Sequence, residues 1–383
     1  MNRLYGRSRL VIDAHDTMMA DDRVFVGTYL DDFAVAGLLG PVGEICLLGL
    51  AFGGGIRPLL STAPDAHVTA VDTNRQAIEM CTGLFGMHFP DIGFDAVHAD
   101  AADYMRFCDK TFDVIAVDLY TPDGHADCVF DERFWSDVLA RLAVDGVLMV
   151  NVWGVPLYLD PLVGASPQAA VASLLEARVP TLRALPAHDN LTFLACADSE
   201  PRAHLESRDL SRSDRACLGL LSARLRVAEI DTKAATLPSE LTGLGTFDQV
   251  RAETQARWPG LAAAFRAAGG AAGLDPSLCT PRTIIDDPSA AQAITLGLLE
   301  TDPVSARYVP IVAAESAFRR QYRAEWFGRW VVDEFEDLAQ RAPEWFVGTA
   351  VPRAMAMAVC PVAPRWEWTD ELFDKVEAFA ARS

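Results

Sequence analysis

The sequence predicts an α/β protein built on a mostly parallel, doubly wound sheet. Short apolar runs alternate with amphipathic segments from about residue 43 to 154, which is the βαβ alternation of such a sheet. A glycine-rich turn at residues 49–55 follows the first apolar run and precedes an amphipathic segment. Strand, glycine turn and helix together bring backbone N–H groups to a ligand at a helix N-terminus. A binding site is therefore expected at that end of the sheet.

The predicted elements follow one another in a regular order. Strands are expected near residues 45–49, 67–72, 94–98, 112–118 and 146–152. Helices are expected between them, near residues 54–62, 74–85, 101–107 and 131–142. Two further strands, at residues 174–185 and 191–197, are expected to form a hairpin around a turn at residues 188–190. The sheet is then complete by about residue 198.

From about residue 216 the pattern becomes helical. Residues 263–272 are rich in alanine, and apolar residues recur at helical spacing in the segments 289–300, 313–320, 327–338 and 370–381. Interruptions are expected where proline and glycine occur, at residues 259–260, 287–288 and 302–303. An aromatic cluster is typical of a helical core, with a hydrophobic substrate pocket as the alternative; it comprises Tyr322, Trp326, Phe327, Trp330 and Phe335.

Three aspartates at the ends of predicted strands mark the expected ligand site. Asp72 can accept hydrogen bonds from the ribose hydroxyls of an adenosine, and Asp100, followed by the small Ala101, can accept from an adenine amino group. Asp118 leaves the fourth strand at its carboxyl end, where ligands of open α/β sheets bind. The structural alternative for each is a helix N-cap or a turn position. Ala51 excludes the dinucleotide fingerprint, which needs glycine there.

On these residues the segment 43–154 resembles the spermidine synthase-like branch of class I S-adenosylmethionine-dependent transferases, and the resemblance extends loosely over residues 8–42. The matching positions are Gly49, Gly53, Gly54, Arg57, Val71, Asp72, residues 99–101, residues 113–118, Phe130, Phe134 and residues 142–150. The resemblance implies a Rossmann-like doubly wound sheet of the class I methyltransferase type, closed by a reversed strand. It also implies a small N-terminal β-segment. The resemblance does not reach the last 180 or so residues, where the helical pattern indicates an added, mainly α-helical C-terminal domain. The expected domains are residues 1–42, 43–198 and 199–383.

The resemblance further implies a transferase that uses S-adenosyl-L-methionine or decarboxylated S-adenosylmethionine. The residues implied to hold this cofactor are Gly49, Leu50, Ala51, Phe52, Gly53, Gly54, Asp72, Thr73, Asp100, Ala101 and Asp118. No metal site is expected, because the seven histidines show no ligand spacing.

Two departures from the family pattern bear on the reaction. Phe52 stands where the family has an acid that holds the amine of decarboxylated S-adenosylmethionine, and Thr121 stands where the family has an acid that grips a polyamine. A buried ammonium without a partner is costly. The expected function is therefore transfer of methyl, or of 3-amino-3-carboxypropyl, from S-adenosylmethionine to a small molecule. The alternatives are a polyamine aminopropyltransferase and a repurposed or non-catalytic member of the fold.

The loop at residues 120–129 lies over the expected donor site and supplies the candidate catalytic side chains. Asp118 is expected to orient the acceptor, take its proton or stabilise positive charge. Tyr120 lies beside it, and His125 is a candidate general base, with a solvated loop histidine as the alternative. Alkyl transfer from a sulfonium is an in-line displacement, so much of the rate comes from alignment.

Composition sets limits on the partners. The formal net charge is −20, which argues against nucleic acid and anionic membranes, and no apolar run reaches ~18 residues. A cytoplasmic enzyme with a small-molecule acceptor is expected, as a possible homodimer. The C-terminal region is expected to form one wall of the acceptor pocket, and a remote dimerisation domain is the alternative. The acceptor itself is not named by the sequence.

Overall fold

The computed structural model describes residues 2–4, 7–12, 15–19, 24–25, 29–155, 166–186, 190–195, 215, 218–219, 221, 245–280 and 288–301. Its strands are β1 (Asn2–Leu4), β2 (Arg7–Ile12), β3 (His15–Met19), β4 (Glu44–Leu48), β5 (His67–Asp72), β6 (Asp95–His98), β7 (Phe112–Val117), β8 (Tyr120–Thr121), β9 (Gly124–His125), β10 (Leu142–Trp153), β11 (Leu182–Pro186) and β12 (Asn190–Ala195). Its α-helices are α1 (Ala36–Leu39), α2 (Ile56–Thr62), α3 (Arg75–His88), α4 (Ala101–Phe107), α5 (Glu132–Arg141), α6 (Pro167–Glu176), α7 (Phe247–Ala271) and α8 (Pro288–Thr301). Two 3-10 helices, Tyr29–Val35 and Asp127–Phe130, complete the described elements.

The central sheet has seven strands in the order β11-β12-β10-β7-β4-β5-β6. The strands from β10 to β6 pair in parallel, and β12 is antiparallel to both of its neighbours. The inner strands β4 and β7 are buried along almost their whole length. Continuous apolar strands of this kind are typical of a parallel sheet covered on both faces. The predicted fold class, a Rossmann-like sheet closed by a reversed strand, is confirmed.

The N-terminal strands form a separate small sheet. β1, β2 and β3 pair in sequence order, and each pair is antiparallel. The small N-terminal β-segment is thus confirmed as part of the fold.

The prediction of a strand over residues 174–185 is wrong in its first part. Residues 167–176 form α6, and the strand β11 begins only at Leu182. Most side chains of α6 are buried, so the helix shows no polar face and its sequence is apolar without a clear period. Its start is visible in the sequence, because Ser166 accepts a hydrogen bond from the Ala169 N–H (3.0 Å) and proline occupies the first turn.

The expected interruption at Pro259 is also wrong, since α7 runs through this residue. Leu261 and Phe265 lie one turn apart and are both buried in the core. Their burial stabilises the second half of the helix despite the hydrogen bond that a proline cannot make. The segments predicted as helical at residues 263–272 and 289–300 are confirmed within α7 and α8.

The remaining predicted helices and the aromatic cluster at residues 322–335 lie outside the described residues. Within the described part, α7 and α8 pack on one another and contribute Leu261, Phe265, Ile294 and Leu298 to the main core. No helix there is both long enough and apolar enough to cross a lipid bilayer.

Candidate active site at the carboxyl edge of the sheet

The glycine turn after β4 is held between the two neighbouring strands. The Gly49 N–H donates to the Val71 carbonyl (2.9 Å), and the Asp118 N–H donates to the Leu48 carbonyl (2.8 Å). Gly49 has φ +94°, and a Cβ on it would overlap the backbone oxygen of Asp118. Only glycine tolerates both conditions, so residue 49 fixes how closely the turn approaches β7.

The second half of the turn packs onto α3 rather than facing outward. Gly53 has φ +82°, and a Cβ there would collide with the Phe85 and Cys81 side chains. The Phe52 ring belongs to the main core and is only 6 % exposed, whereas Ala51 is exposed with φ +43°. The turn therefore presents backbone and a small side chain to solvent, with no carboxylate at residue 52.

Asp72, at the end of β5, fastens this turn. Its Oδ2 accepts hydrogen bonds from the N–H groups of Leu50 (3.0 Å) and Ala51 (2.9 Å), and its Oδ1 accepts from the Asn74 N–H (2.7 Å). A carboxylate oxygen has two acceptor sites, so Oδ1 can still accept from a ribose hydroxyl. Asp72 thus has the structural role in a turn that was the alternative for it, and the ligand contact stays a prediction.

Asp100 occupies the helix-capping position that was the structural alternative for it. Its Oδ1 accepts from the N–H groups of Ala102 (2.9 Å) and Asp103 (3.0 Å) at the start of α4. The side chain is exposed, and Ala101 is buried behind it. Thr73 is also exposed at this edge, where its carbonyl oxygen lies 2.9 Å from His98 Nε2.

Asp118 follows β7 and lies partly buried within a polar network. Its Oδ1 accepts from Asn151 Nδ2 (2.8 Å), which also donates to the Tyr120 hydroxyl (3.2 Å). Burial raises the pKa of Asp118 to about 6, and the hydrogen bond from Asn151 partly offsets this rise. A carboxyl that titrates near neutral pH suits proton transfer.

His125 is buried and both of its ring nitrogens are hydrogen-bonded. Nδ1 lies 3.2 Å from the Gly245 carbonyl oxygen, and Nε2 accepts from the Trp153 N–H (3.1 Å). These partners fix the neutral tautomer with hydrogen on Nδ1. Burial lowers the pKa of His125 to about 4. His125 is therefore not the solvated loop histidine that was one alternative. Neither ring nitrogen is open to take a proton from an acceptor substrate.

The structure brings further residues to the site that sequence reasoning missed. Asn151 and Trp153 lie at the end of β10, and residues 245–247 pair with the loop from a position about 120 residues away. Asn151 had a signal, because it is the polar residue of the otherwise apolar run 147–153. Residues 245–247 had none, because no local pattern records a contact at such a distance along the chain.

The predicted site residues therefore form two groups along one edge of the sheet. The glycine turn, Asp72, Asp100 and Ala101 follow β4, β5 and β6, and Asp118, Tyr120 and His125 follow β7. Carboxyl ends of adjacent parallel strands form the ligand crevice of open α/β sheets. The arrangement can hold a nucleoside on the first group and a reacting group beside the second.

Comparison with known proteins adds the family context. Residues 11–167 match the family model of the spermine/spermidine synthase domain. A polyamine aminopropyltransferase of Neisseria meningitidis serogroup A is 33% identical over 110 residues, which are 29% of this chain and 42% of that protein. That of Pseudomonas syringae pv. tomato is 26% identical over 151 residues, which are 36% of this chain and 52% of that protein. The chain thus spans about half the length, or less, of these relatives.

A solved structure is also similar to part of this chain. Spermidine synthase from Thermotoga maritima covers 53% of this chain and 72% of its own length, at 17% identity and a TM-score of 0.39. The resemblance of this chain to the spermidine synthase-like branch of the transferases, inferred above from its glycine turn and strand-end aspartates, is confirmed over residues 11–167.

Proposed function

We propose that the protein transfers an aminopropyl group from decarboxylated S-adenosylmethionine to an amine. The observation that carries this proposal is the edge just described, where the glycine turn, Asp72 and Asp100 line up with Asp118 inside the segment that matches the spermine/spermidine synthase domain. The relatives named above are polyamine aminopropyltransferases. They favour aminopropyl transfer over the methyl transfer that Phe52 and Thr121 led us to expect.

Each residue has a distinct role in this proposal. Asp72 accepts from a ribose hydroxyl at Oδ1, and Asp100 accepts from the adenine amino group. Asp118 orients the acceptor amine and takes its proton as nitrogen attacks the carbon next to sulfur. The carbon–sulfur bond breaks, the nitrogen–carbon bond forms, and neutral methylthioadenosine leaves. Asn151, which also donates to the Tyr120 hydroxyl, holds Asp118 in place. His125 holds the loop, because its ring donates to the Gly245 carbonyl and accepts from the Trp153 N–H.

A second candidate is transfer of methyl or 3-amino-3-carboxypropyl from S-adenosylmethionine itself. The observation that favours it is Phe52, whose ring is buried in the core. The turn consequently carries no carboxylate to pair with the amine of the decarboxylated donor or to repel the carboxylate of the ordinary one.

Product analysis separates these candidates. The full chain is incubated with each donor and a panel of primary amines, and the nucleoside product is identified by mass spectrometry. Methylthioadenosine formed from the decarboxylated donor supports aminopropyl transfer. Methylthioadenosine or S-adenosylhomocysteine formed only from S-adenosylmethionine supports the second candidate. Absence of any amine-dependent nucleoside product from the decarboxylated donor rejects aminopropyl transfer to an amine.

A further inference from the structure

Three aromatic side chains lie together beside the loop that follows Asp118. The Tyr120 and Phe247 rings are nearly parallel, with an interplanar angle of 12° and centroids 6.3 Å apart. The Trp153 ring meets the Phe247 ring edge-on, with centroids 4.9 Å apart. All three residues are partly exposed. We call this set the aromatic wall.

Backbone pairing fixes the position of Phe247 in this wall. The His125 N–H donates to the Gly245 carbonyl (2.9 Å), and the Phe247 N–H donates to the Asp123 carbonyl (2.8 Å). Gly124 and Thr246 form a β-bridge between these two bonds. Residues 245–247, the strap, therefore act as a short third strand beside the β8–β9 hairpin. Phe247 lies outside the segment that matches the spermine/spermidine synthase domain, and the backbone pairing determines where its ring lies.

The wall is connected to the candidate catalytic carboxylate through one side chain. Asn151 Nδ2 donates both to Asp118 Oδ1 (2.8 Å) and to the Tyr120 hydroxyl (3.2 Å), and the Tyr120 hydroxyl also accepts from the Trp153 N–H (2.8 Å). Hydrogen bonds thus tie the wall to the carboxylate at which the amine is proposed to react.

Two features of the wall favour an apolar body over a second ammonium group. Residue 121 is threonine, so the position that would grip the far amine of a diamine carries no carboxylate. On the strap side Arg251 lies near Phe247, with its guanidinium carbon 5.9 Å from the ring centroid and its Nη1 3.1 Å from Asp248. The Arg251 guanidinium, itself paired with Asp248, already lies beside the Phe247 ring, so the remaining ring surface suits an apolar body.

We propose that the aromatic wall selects the acceptor, and that this acceptor is a primary monoamine whose other end is apolar or aromatic. Phe247 is the specificity-determining residue of this wall. The proposal rests on the proposed function for the identity of the reacting group, and it goes beyond that function by naming the class of acceptor.

Equilibrium binding tests the proposal without relying on turnover. Phenethylamine, hexylamine and putrescine are titrated by calorimetry into the full chain, with and without methylthioadenosine. We expect phenethylamine to bind at least about 10-fold more tightly than putrescine. The aromatic contact and the apolar area buried with it stabilise the complex by more than a tenfold difference in affinity requires. Phe247→Ala should weaken phenethylamine about 10-fold and leave methylthioadenosine affinity unchanged. Phe247→Leu, which preserves apolar volume, should retain hexylamine and weaken phenethylamine.

Phe107→Ala is the matched control, because Phe107 is 72% exposed at the end of α4, remote in the fold from the strap. This substitution should change neither the affinity for phenethylamine nor the affinity for methylthioadenosine. The proposal is overturned if putrescine binds the wild type more tightly than phenethylamine, or if both Phe247 variants bind all three amines as the wild type does. Failure of methylthioadenosine to bind would instead reject the proposed function. The amine titrations without nucleoside would still test whether the aromatic wall selects the acceptor.

Discussion

Asp118 is the residue on which the proposed chemistry depends most directly. It is the carboxylate of the described site that is both partly buried and linked to the loop through Asn151. Replacing Asp118 by Asn keeps the size of the side chain and removes the proton acceptor. We expect turnover to fall by ~10²-fold or more, the range for a positioned acid–base group, while donor affinity is retained. Steady-state kinetics with donor titration measure both quantities.

Asp123→Asn is the matched control for this change. Asp123 is an exposed aspartate of the same loop, whose backbone carbonyl, not its carboxylate, accepts from the Phe247 N–H. It should leave turnover unchanged. Wild-type turnover in Asp118→Asn would show that Asp118 is a turn residue only.

The pH dependence of turnover follows from the environment of the same carboxyl. Burial raises the pKa of Asp118 to about 6, and the group must be ionised to take a proton. Turnover should therefore fall as the pH decreases through about 6. Asn151→Ala removes the hydrogen bond that favours the charged form, so its acidic midpoint should move to higher pH. Profiles of kcat between about pH 5 and 8 test this, and an unshifted midpoint in Asn151→Ala would contradict it.

At the residue scale the sequence predicted positions better than roles. Asp72, Asp100 and Asp118 lie at strand ends as expected, because an acid after an apolar run is visible in one dimension. The hydrogen bonds they make are not visible there. Asp72 fastens the glycine turn and Asp100 caps α4, since both are the nearest acceptors for backbone N–H groups that would otherwise lack partners.

At the scale of elements, the glycine turn is the part of the site most sensitive to substitution. Gly49→Ala would place Cβ against the backbone oxygen of Asp118 and force a left-handed conformation on alanine. We expect a loss of stability of at least about 1–3 kcal/mol. Thermal or denaturant unfolding measures this change.

Gly83→Ala in α3 is the matched control, because Gly83 lies inside a helix and a Cβ added there would point into open space. It should stabilise the protein by about 0.5–1 kcal/mol, since alanine loses less backbone entropy. Equal stabilities of the two variants would mean that the close approach of the turn to β7 is not essential.

The elements predicted well were the strands that form continuous apolar runs of strand length. β4, β5 and β7 were located to within a residue because buried parallel strands give continuous apolar runs. α6 was missed because it is buried on nearly all sides and its apolar run looks like a strand. The interruption predicted at Pro259 was wrong because burial of Leu261 and Phe265 stabilises α7. This tertiary effect outweighs the local tendency of proline to end a helix.

At the scale of the whole molecule, the strap makes the added C-terminal region part of the site. Residues 245–247 pair with the β8–β9 hairpin, which supports the expectation that this region walls the acceptor pocket. The domain boundaries at residues 42 and 198 and the alternative of a dimerisation role stay predictions. Sequence reasoning could not identify the strap, because its partners lie about 120 residues away.

Displacing the strap should separate acceptor from donor binding. In Gly124→Ala the new Cβ would overlap the Gly245 carbonyl oxygen, so the pairing must open. We expect KM for the acceptor to rise about 10-fold or more, with donor affinity unchanged, because lost positioning acts on the acceptor alone. Gly260→Ala, with open space around its Cβ in α7, is the control. An unchanged acceptor KM in Gly124→Ala would remove the strap from the site.

The central claim is that a sulfonium nucleoside binds along the carboxyl edge of β4 to β7. Calorimetric titration of the full chain with decarboxylated S-adenosylmethionine, S-adenosylmethionine and NAD tests it most directly. The account predicts micromolar binding of at least one sulfonium donor and none of NAD, because Ala51 replaces a fingerprint glycine. Asp72→Ala should weaken that donor by ~1–3 kcal/mol, through lost hydrogen bonds to a charged acceptor. Tighter binding of NAD, or no binding of either sulfonium donor, would contradict the account.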